Sequence, residues 1–268
     1  MQTPPTTMPA LVTPFTTHGD LDEDAHRHNV ALLAGNGVGG FVIAGSTGEG
    51  PYLEPGERER LASATRRELG AHTYVMCGIA AQSLRGARKQ IGEAAAGGAD
   101  AVLVMTPTLL VGGNEHLVAR FYRDVTESCP LPLFLYTVPP VTGYELPVSI
   151  VVAQSKAAAG IKDSGGNPER IAEWHAQVTA PFFTFCGASR AVMASVAAGA
   201  HGAITASANY AADLVVSAVS GDSAAQAALT ARAADVEASG VAGTKAAAEA
   251  FGLRTGPPRR PLLPLASL

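Results

Sequence analysis

One short stretch, Ala159-Gly160-Ile161-Lys162-Asp163-Ser164-Gly165-Gly166, reads as a buried strand that delivers a lysine and then breaks on glycines. Burying an ammonium group is costly unless it is paired or gives up its proton. The free amine is a nucleophile: it attacks a carbonyl carbon and forms a Schiff base. That imine is an electron sink for making or breaking the adjacent C–C bond. Two plainer roles compete for Lys162. It could reach back to water from the strand end, or form one arm of an ion pair with Asp163. Which role applies depends on the elements that position it.

Those elements alternate. Apolar runs at Met8–Phe15, Gly40–Gly45, Thr73–Ala80, Ala101–Met105, Leu131–Val138, the Lys162 stretch, Phe182–Cys186 and Gly202–Ala206 read as strands. Helical segments lie between them, with Ser83, Asn114 and Asn167 as N-caps and Pro55, Pro147 and Pro168 near helix starts. Pro139-Pro140 is read as a break. Strict alternation implies parallel strands with right-handed crossovers. Eight such units point to an α/β fold, a (β/α)8 TIM barrel with additional C-terminal helices, rather than an open doubly wound sheet. The barrel is placed at 1–220 and a C-terminal helical extension at 221–268. The Pro-rich segment from Arg254 to Leu268 is expected to be an extended tail packed on the surface.

In a TIM barrel the functional residues lie at the C-terminal ends of the strands. That rule gathers Ser46 and Thr47, Tyr136 and Thr137, Lys162 and Ser164, Gly187, and Thr205 and Ser207 at one mouth. Forming and collapsing a carbinolamine needs proton transfer. The Tyr136 phenol, relayed by the hydroxyls of Thr47 and Ser46, is the candidate. Backbone N–H groups of the Gly45–Gly50 loop, ahead of a helix start, suit a carboxylate, so a keto acid is a natural ligand.

Composition excludes other classes. Of 268 residues, 47% are apolar, enough for a full core, and the formal net charge of -4 gives no footprint for nucleic acid. No apolar run is long enough to span a bilayer. Cys77, Cys129 and Cys186 lack metal-ligand spacing and fit reduced thiols in a cytoplasmic protein. The N-terminus lacks the basic-then-apolar pattern of a signal peptide. Gly35-Asn36-Gly37-Val38-Gly39-Gly40 matches a dinucleotide fingerprint but follows a helix and precedes a strand, so it reads as a helix exit. His26 and His28 face different ways and make no metal pair. Trp174 reads as packing. Glu49 reads as a brace for its loop, with a general-acid role as the alternative.

The ordered stretches Leu11-Val12-Thr13-Pro14-Phe15, Gly45-Ser46-Thr47-Gly48-Glu49, Tyr136-Thr137-Val138-Pro139, Thr142-Gly143 and Gly160-Ile161-Lys162-Asp163-Ser164-Gly165-Gly166 run nearly the length of the chain. Together they resemble the dihydrodipicolinate synthase / N-acetylneuraminate lyase family of class I aldolases. The resemblance implies that Lys162 is the Schiff-base lysine and Tyr136 the proton-relay tyrosine. It places Ser46 and Thr47 in the carboxylate-binding and relay loop, and has Gly187 and the Ile204 carbonyl lining the site. Lys162, Tyr136 and Thr47 are thus the catalytic candidates. Gly45, Ser46, Thr47, Ser164, Gly187, Ile204 and Val141 are the substrate-binding candidates.

The departures bear on substrate. Synthases of the family carry an arginine after the tyrosine to hold the aldehyde partner's carboxylate; here that position is Val141. The Tyr-Tyr pair often found after the fourth strand is replaced by Thr106-Pro107-Thr108-Leu109-Leu110, so the intersubunit tyrosine is absent. The Tyr136–Gly166 region is more similar to 4-hydroxy-2-oxoglutarate aldolases. The Gly50-Pro51 step, Thr142–Pro147 and Arg260-Pro261 resemble 2-keto-3-deoxygluconate aldolases. The expectation is a lyase that splits or forms a 4-hydroxy-2-oxo acid, with pyruvate and an aldehyde as partners. Beyond the covalent lysine it is expected to use no cofactor and no metal, and to work as a homotetramer or homodimer. A condensing enzyme or dehydratase, and a non-catalytic keto-acid-binding protein, stay open as alternatives.

Overall fold

The computed structural model describes residues 2–111, 113–179 and 181–265. Eight parallel strands follow one another around a ring: β1 Thr7–Pro9, β2 Gly40–Ile43, β3 Tyr74–Ile79, β4 Ala101–Met105, β5 Leu133–Thr137, β6 Gly160–Asp163, β7 Phe183–Cys186 and β8 Gly202–Thr205. β1 pairs with β8. The ring closes through a parallel bridge between Ala10 and Val42 and a 2.9 Å hydrogen bond from the Leu11 N–H to the Val42 carbonyl. This is the (β/α)8 TIM barrel, with extra helices at the C-terminus.

Alternation along each strand divides the core in two. Ala101, Leu103 and Met105 of β4 point into the barrel with Met8, Val42, Met76, Phe134, Tyr136, Phe185 and Ile204. Val102 and Val104 point outward to the helix layer, where they join Ile161, Trp174, Tyr122 and Leu61. The outer helices are α1 Glu23–Gly35, α2 Glu57–Leu69, α3 Leu84–Ala96, α4 Glu115–Ser128, α5 Pro139–Thr142, α6 Val148–Gln154, α7 Pro168–Gln177, α8 Val192–Ala197, α9 Ala212–Val219, α10 Ser223–Ala238 and α11 Gly240–Phe251. Ser83, Asn114 and Asn167 cap their helices as the sequence predicts, each accepting a backbone N–H. Trp174 is fully buried packing.

One local expectation changes. The first strand is only Thr7–Pro9, because beyond Leu11 the chain leaves the ring and Phe15 pairs instead with Leu21 and, through its N–H, with the Thr255 carbonyl. Pro139-Pro140 does follow the end of β5, and it also opens a four-residue helical turn, since proline's missing donor costs nothing at a helix start. The described part of the C-terminal segment packs along the surface as expected, and its start is tied to α1. Arg254 exchanges backbone hydrogen bonds with the Asn29 amide, both at 2.7 Å, and Thr255 is fully buried.

His26 is a fully buried histidine of α1. The Thr65 hydroxyl donates to the Leu61 carbonyl, so it accepts from the His26 Nε2–H at 2.7 Å and leaves Nδ1 without a partner. Burial pushes the imidazole down from 6.5 to about 4. The unfolded chain therefore takes up this proton before the native one does. The histidine's contribution is complete above pH 6.5 and is lost as pH falls toward 4, amounting to about 3 kcal/mol. Urea midpoints measured across that window should fall more steeply for the natural chain than for His26→Gln.

Candidate active site

Register decides what meets Lys162. On β5, β6 and β7 the residues Tyr136, Lys162 and Phe185 stand side by side, and all three point into the barrel. Lys162 is 4% exposed, and its Nζ lies 4.6 Å from the centre of the Tyr136 ring. Asp163, the next residue on the strand, faces the opposite side. Its carboxylate turns the chain after β6, accepting the Gly165 N–H at 2.8 Å. Lys162 therefore neither pairs with Asp163 nor reaches solvent. Burial raises the Asp163 carboxyl above the usual range.

The Tyr136 hydroxyl is 2.9 Å from the Ser46 hydroxyl. Burial alone would raise the phenol. The charge of Lys162 and the polar contacts of Ser46, Ser164 and Lys162 outweigh that and hold it below the ordinary tyrosine value. Gly187 packs directly on this group. A β-carbon there would overlap the Ser164 hydroxyl and come within 2.8 Å of Lys162 Cε, so any side chain at this position would displace both groups. The Ile204 side chain is buried inside the barrel, from β8.

Thr47, expected in the proton relay, lies in the same loop and lines the cleft above, but the hydroxyl bonded to Tyr136 is that of Ser46. The reason is directional: consecutive residues in the turn point their side chains different ways, and only Ser46 faces β5. Among the described residues the backbone N–H groups of Ser46 and Thr47 make no hydrogen bond, which leaves both donors free at the mouth. Above them is a cleft of about 340 Å³, whose wall includes Met105 and Val141. Val141 is 66% exposed and Leu109 76%. A larger cavity of about 560 Å³ lies elsewhere, between the Thr16–Asp20 turn and residues 257–264, with no strand-end residue in its wall.

The loop that carries Ser46 is held under backbone strain. Ala44 and Glu49 both adopt the left-handed conformation, at φ +55° and +56°. Non-glycine residues there cost about 1–3 kcal/mol each and persist only when surrounding contacts fix them. Here Arg58, fully buried in α2, donates to the Gly78 and Gly50 carbonyls. Thr13 donates to the Gly48 carbonyl at 2.5 Å. Glu49 is 1% exposed and makes a 2.8 Å ion pair with Lys245 of α11, without the alignment of a hydrogen bond. Its other oxygen accepts the Arg259 N–H at 2.7 Å. Arg259 in turn holds Glu57 with both arms, at 2.6 and 2.8 Å. Glu49 is thus the brace the sequence suggested, not a group aimed at the lysine. Arg58, Lys245 and Arg259 were not foreseen. In sequence they are ordinary helix and tail cations, and nothing local marks them as buried.

The dihydrodipicolinate synthetase family model matches residues 4–267. The chain belongs to that family. It is 32% identical to the 4-hydroxy-tetrahydrodipicolinate synthase of Nitrobacter hamburgensis over 213 residues, 79% of this chain and 71% of the relative. Two solved structures extend the likeness. A dihydrodipicolinate synthase of Bacillus anthracis superposes with a TM-score of 0.86 at 26% identity, covering 97% of this chain and 92% of that one. The Acinetobacter baumannii dihydrodipicolinate synthase, solved in complex with pyruvate, gives 0.87 at 25% identity, covering 97% and 93%. As a member of the dihydrodipicolinate synthetase family the chain is a carbon–carbon lyase or synthase. Among the described residues no helix is long and apolar enough to cross a membrane, and no cluster of three or more His, Cys, Asp or Glu is arranged to hold a metal.

Proposed function

We propose that this family member is a class I aldolase that joins pyruvate to an aldehyde, or splits the corresponding 4-hydroxy-2-oxo acid, through a Schiff base on Lys162. The observation that carries the reading is the buried Lys162 amine packed at 4.6 Å on the ring of a tyrosine that is itself hydrogen-bonded to Ser46. In the synthetic direction the amine attacks C2 of pyruvate. Tyr136 supplies the proton with which the carbinolamine oxygen leaves as water. Loss of a C3 proton gives the enamine. Its C3 attacks the aldehyde carbon, and the new C4 alkoxide takes up a proton. Water then returns the lysine and frees the product. Cleavage is the reverse, the electrons of the C3–C4 bond passing to the iminium nitrogen. The unpartnered N–H groups of Ser46 and Thr47 support a carboxylate site for pyruvate in this loop.

The synthase reaction is the second reading, and the names of the curated relatives favour it. Val141, at the position where synthases of the family hold the partner's carboxylate with arginine, weighs against it. Incubation with pyruvate and borohydride, followed by intact mass, tests the chemistry common to both. One reduced pyruvate should be fixed, and on Lys162. An unmodified lysine ends the proposal. Tyr136→Phe should still trap pyruvate yet turn over about 10²- to 10⁴-fold more slowly, since only a proton-relay hydroxyl is lost.

A further inference from the structure

This inference rests on the aldolase reading and concerns its second substrate. The cleft over Ser46 and Thr47 is walled by Pro51, Tyr52, Met105, Val141, Val241 and Leu262. Among the described residues no lysine or arginine lines it. Two carboxylates do. Glu49 is neutralised by its ion pair with Lys245. Glu237, from the last turn of α10, has no cation within ion-pair distance among the described residues.

Glu237 is nevertheless fixed in place. Ser189, just after β7, donates its hydroxyl to the Glu237 carboxylate. Ser189, Ser207 and Thr205 are linked hydroxyl to hydroxyl at 2.7 and 2.9 Å, tying Glu237 to the end of β8. A negative charge without a cation partner is thereby held in the wall of the cleft that also carries Ser46, the hydroxyl bonded to Tyr136, and Met105 at the end of β4. A carboxylate or phosphate on that aldehyde would find a like charge and no cation. A hydroxyl would find an acceptor, and a methylene would find apolar wall.

We propose that the aldehyde partner is uncharged, an apolar or hydroxylated aldehyde, and that Glu237 is the specificity residue that turns away aldehydes bearing a carboxylate or phosphate.

The test is steady-state condensation with pyruvate of two matched pairs, glycolaldehyde against glyoxylate and glyceraldehyde against glyceraldehyde 3-phosphate. The natural chain should show kcat/KM for the neutral member of each pair about 10- to 100-fold above the anionic one. Glu237→Gln should narrow that ratio, chiefly by lowering KM for the anionic member. Val141→Arg, which adds a cation to the same wall, should narrow it further. A natural chain that prefers the anionic aldehydes, or a ratio unmoved in Glu237→Gln, overturns the proposal while pyruvate trapping on Lys162 still upholds the aldolase reading. Failure to trap pyruvate overturns both.

Discussion

Lys162→Met should abolish turnover, by roughly 10⁴-fold or more, and take up no pyruvate on borohydride reduction, yet melt no lower than the natural chain. The first half follows from the proposed chemistry, because among the described residues no other lysine lies on a barrel strand to form the imine. The second follows from the surroundings. Lys162 is nearly fully buried amid Tyr136, Phe185 and Ile204, and among the described residues no carboxylate lies within ion-pair distance of it. A residue there for stability would have a carboxylate partner; Lys162 has only the ring and hydroxyl of Tyr136 against its desolvation cost. Methionine fills similar volume without charge, so its introduction removes that cost and leaves no cavity. Loss of activity accompanied by an unchanged or raised Tm would separate the two roles. A large fall in Tm would mean that the lysine is structural.

Lys245→Met should have the opposite character, destabilising the whole barrel by about 3–5 kcal/mol. Lys245 is 2% exposed and its ammonium meets Glu49 at 2.8 Å and the Pro257 carbonyl at 3.0 Å. Burial pushes its pKa below the usual lysine value, against the pull of Glu49. Without it the Glu49 carboxylate, 1% exposed, would keep only the Arg259 N–H. The strained Ala44–Glu49 turn and the Ser46 hydroxyl it presents would lose their main anchor. Urea or thermal unfolding should show the loss, on the order of 10 °C in Tm. Adding Glu49→Gln should restore part of it, because the stranded charge is then gone. If the double variant is no better than the single, the penalty comes from lost packing and not from the unpaired carboxylate.

Much of this site could be read along the chain. The alternation of apolar strands with capped helices implied the barrel, and the barrel rule placed Ser46, Tyr136, Lys162 and Gly187 at one end. Those inferences hold because they depend on local periodicity and on fixed strand geometry: side chains two apart share a face, and parallel crossovers have one hand. Asp163 shows the same logic in negative form, since adjacency on a strand forbids the ion pair that adjacency in sequence suggests.

What needed the folded chain were contacts between residues far apart in sequence. Nothing near Glu49 shows that Lys245, or the main chain at Arg259 some 210 positions on, would neutralise it. Nothing near Ser189 shows that Glu237 would hang over the mouth. Each pairing is set by how α10, α11 and the C-terminal segment close on the ring, a matter of packing between distant segments. The sequence by itself thus determined the barrel and brought Lys162, Tyr136 and Gly187 together at one end of it. Only the tertiary structure decided which hydroxyl meets the phenol, what holds the strained loop, and which carboxylates line the cleft. Charges act through space, and the one-dimensional order of residues carries no record of those distances.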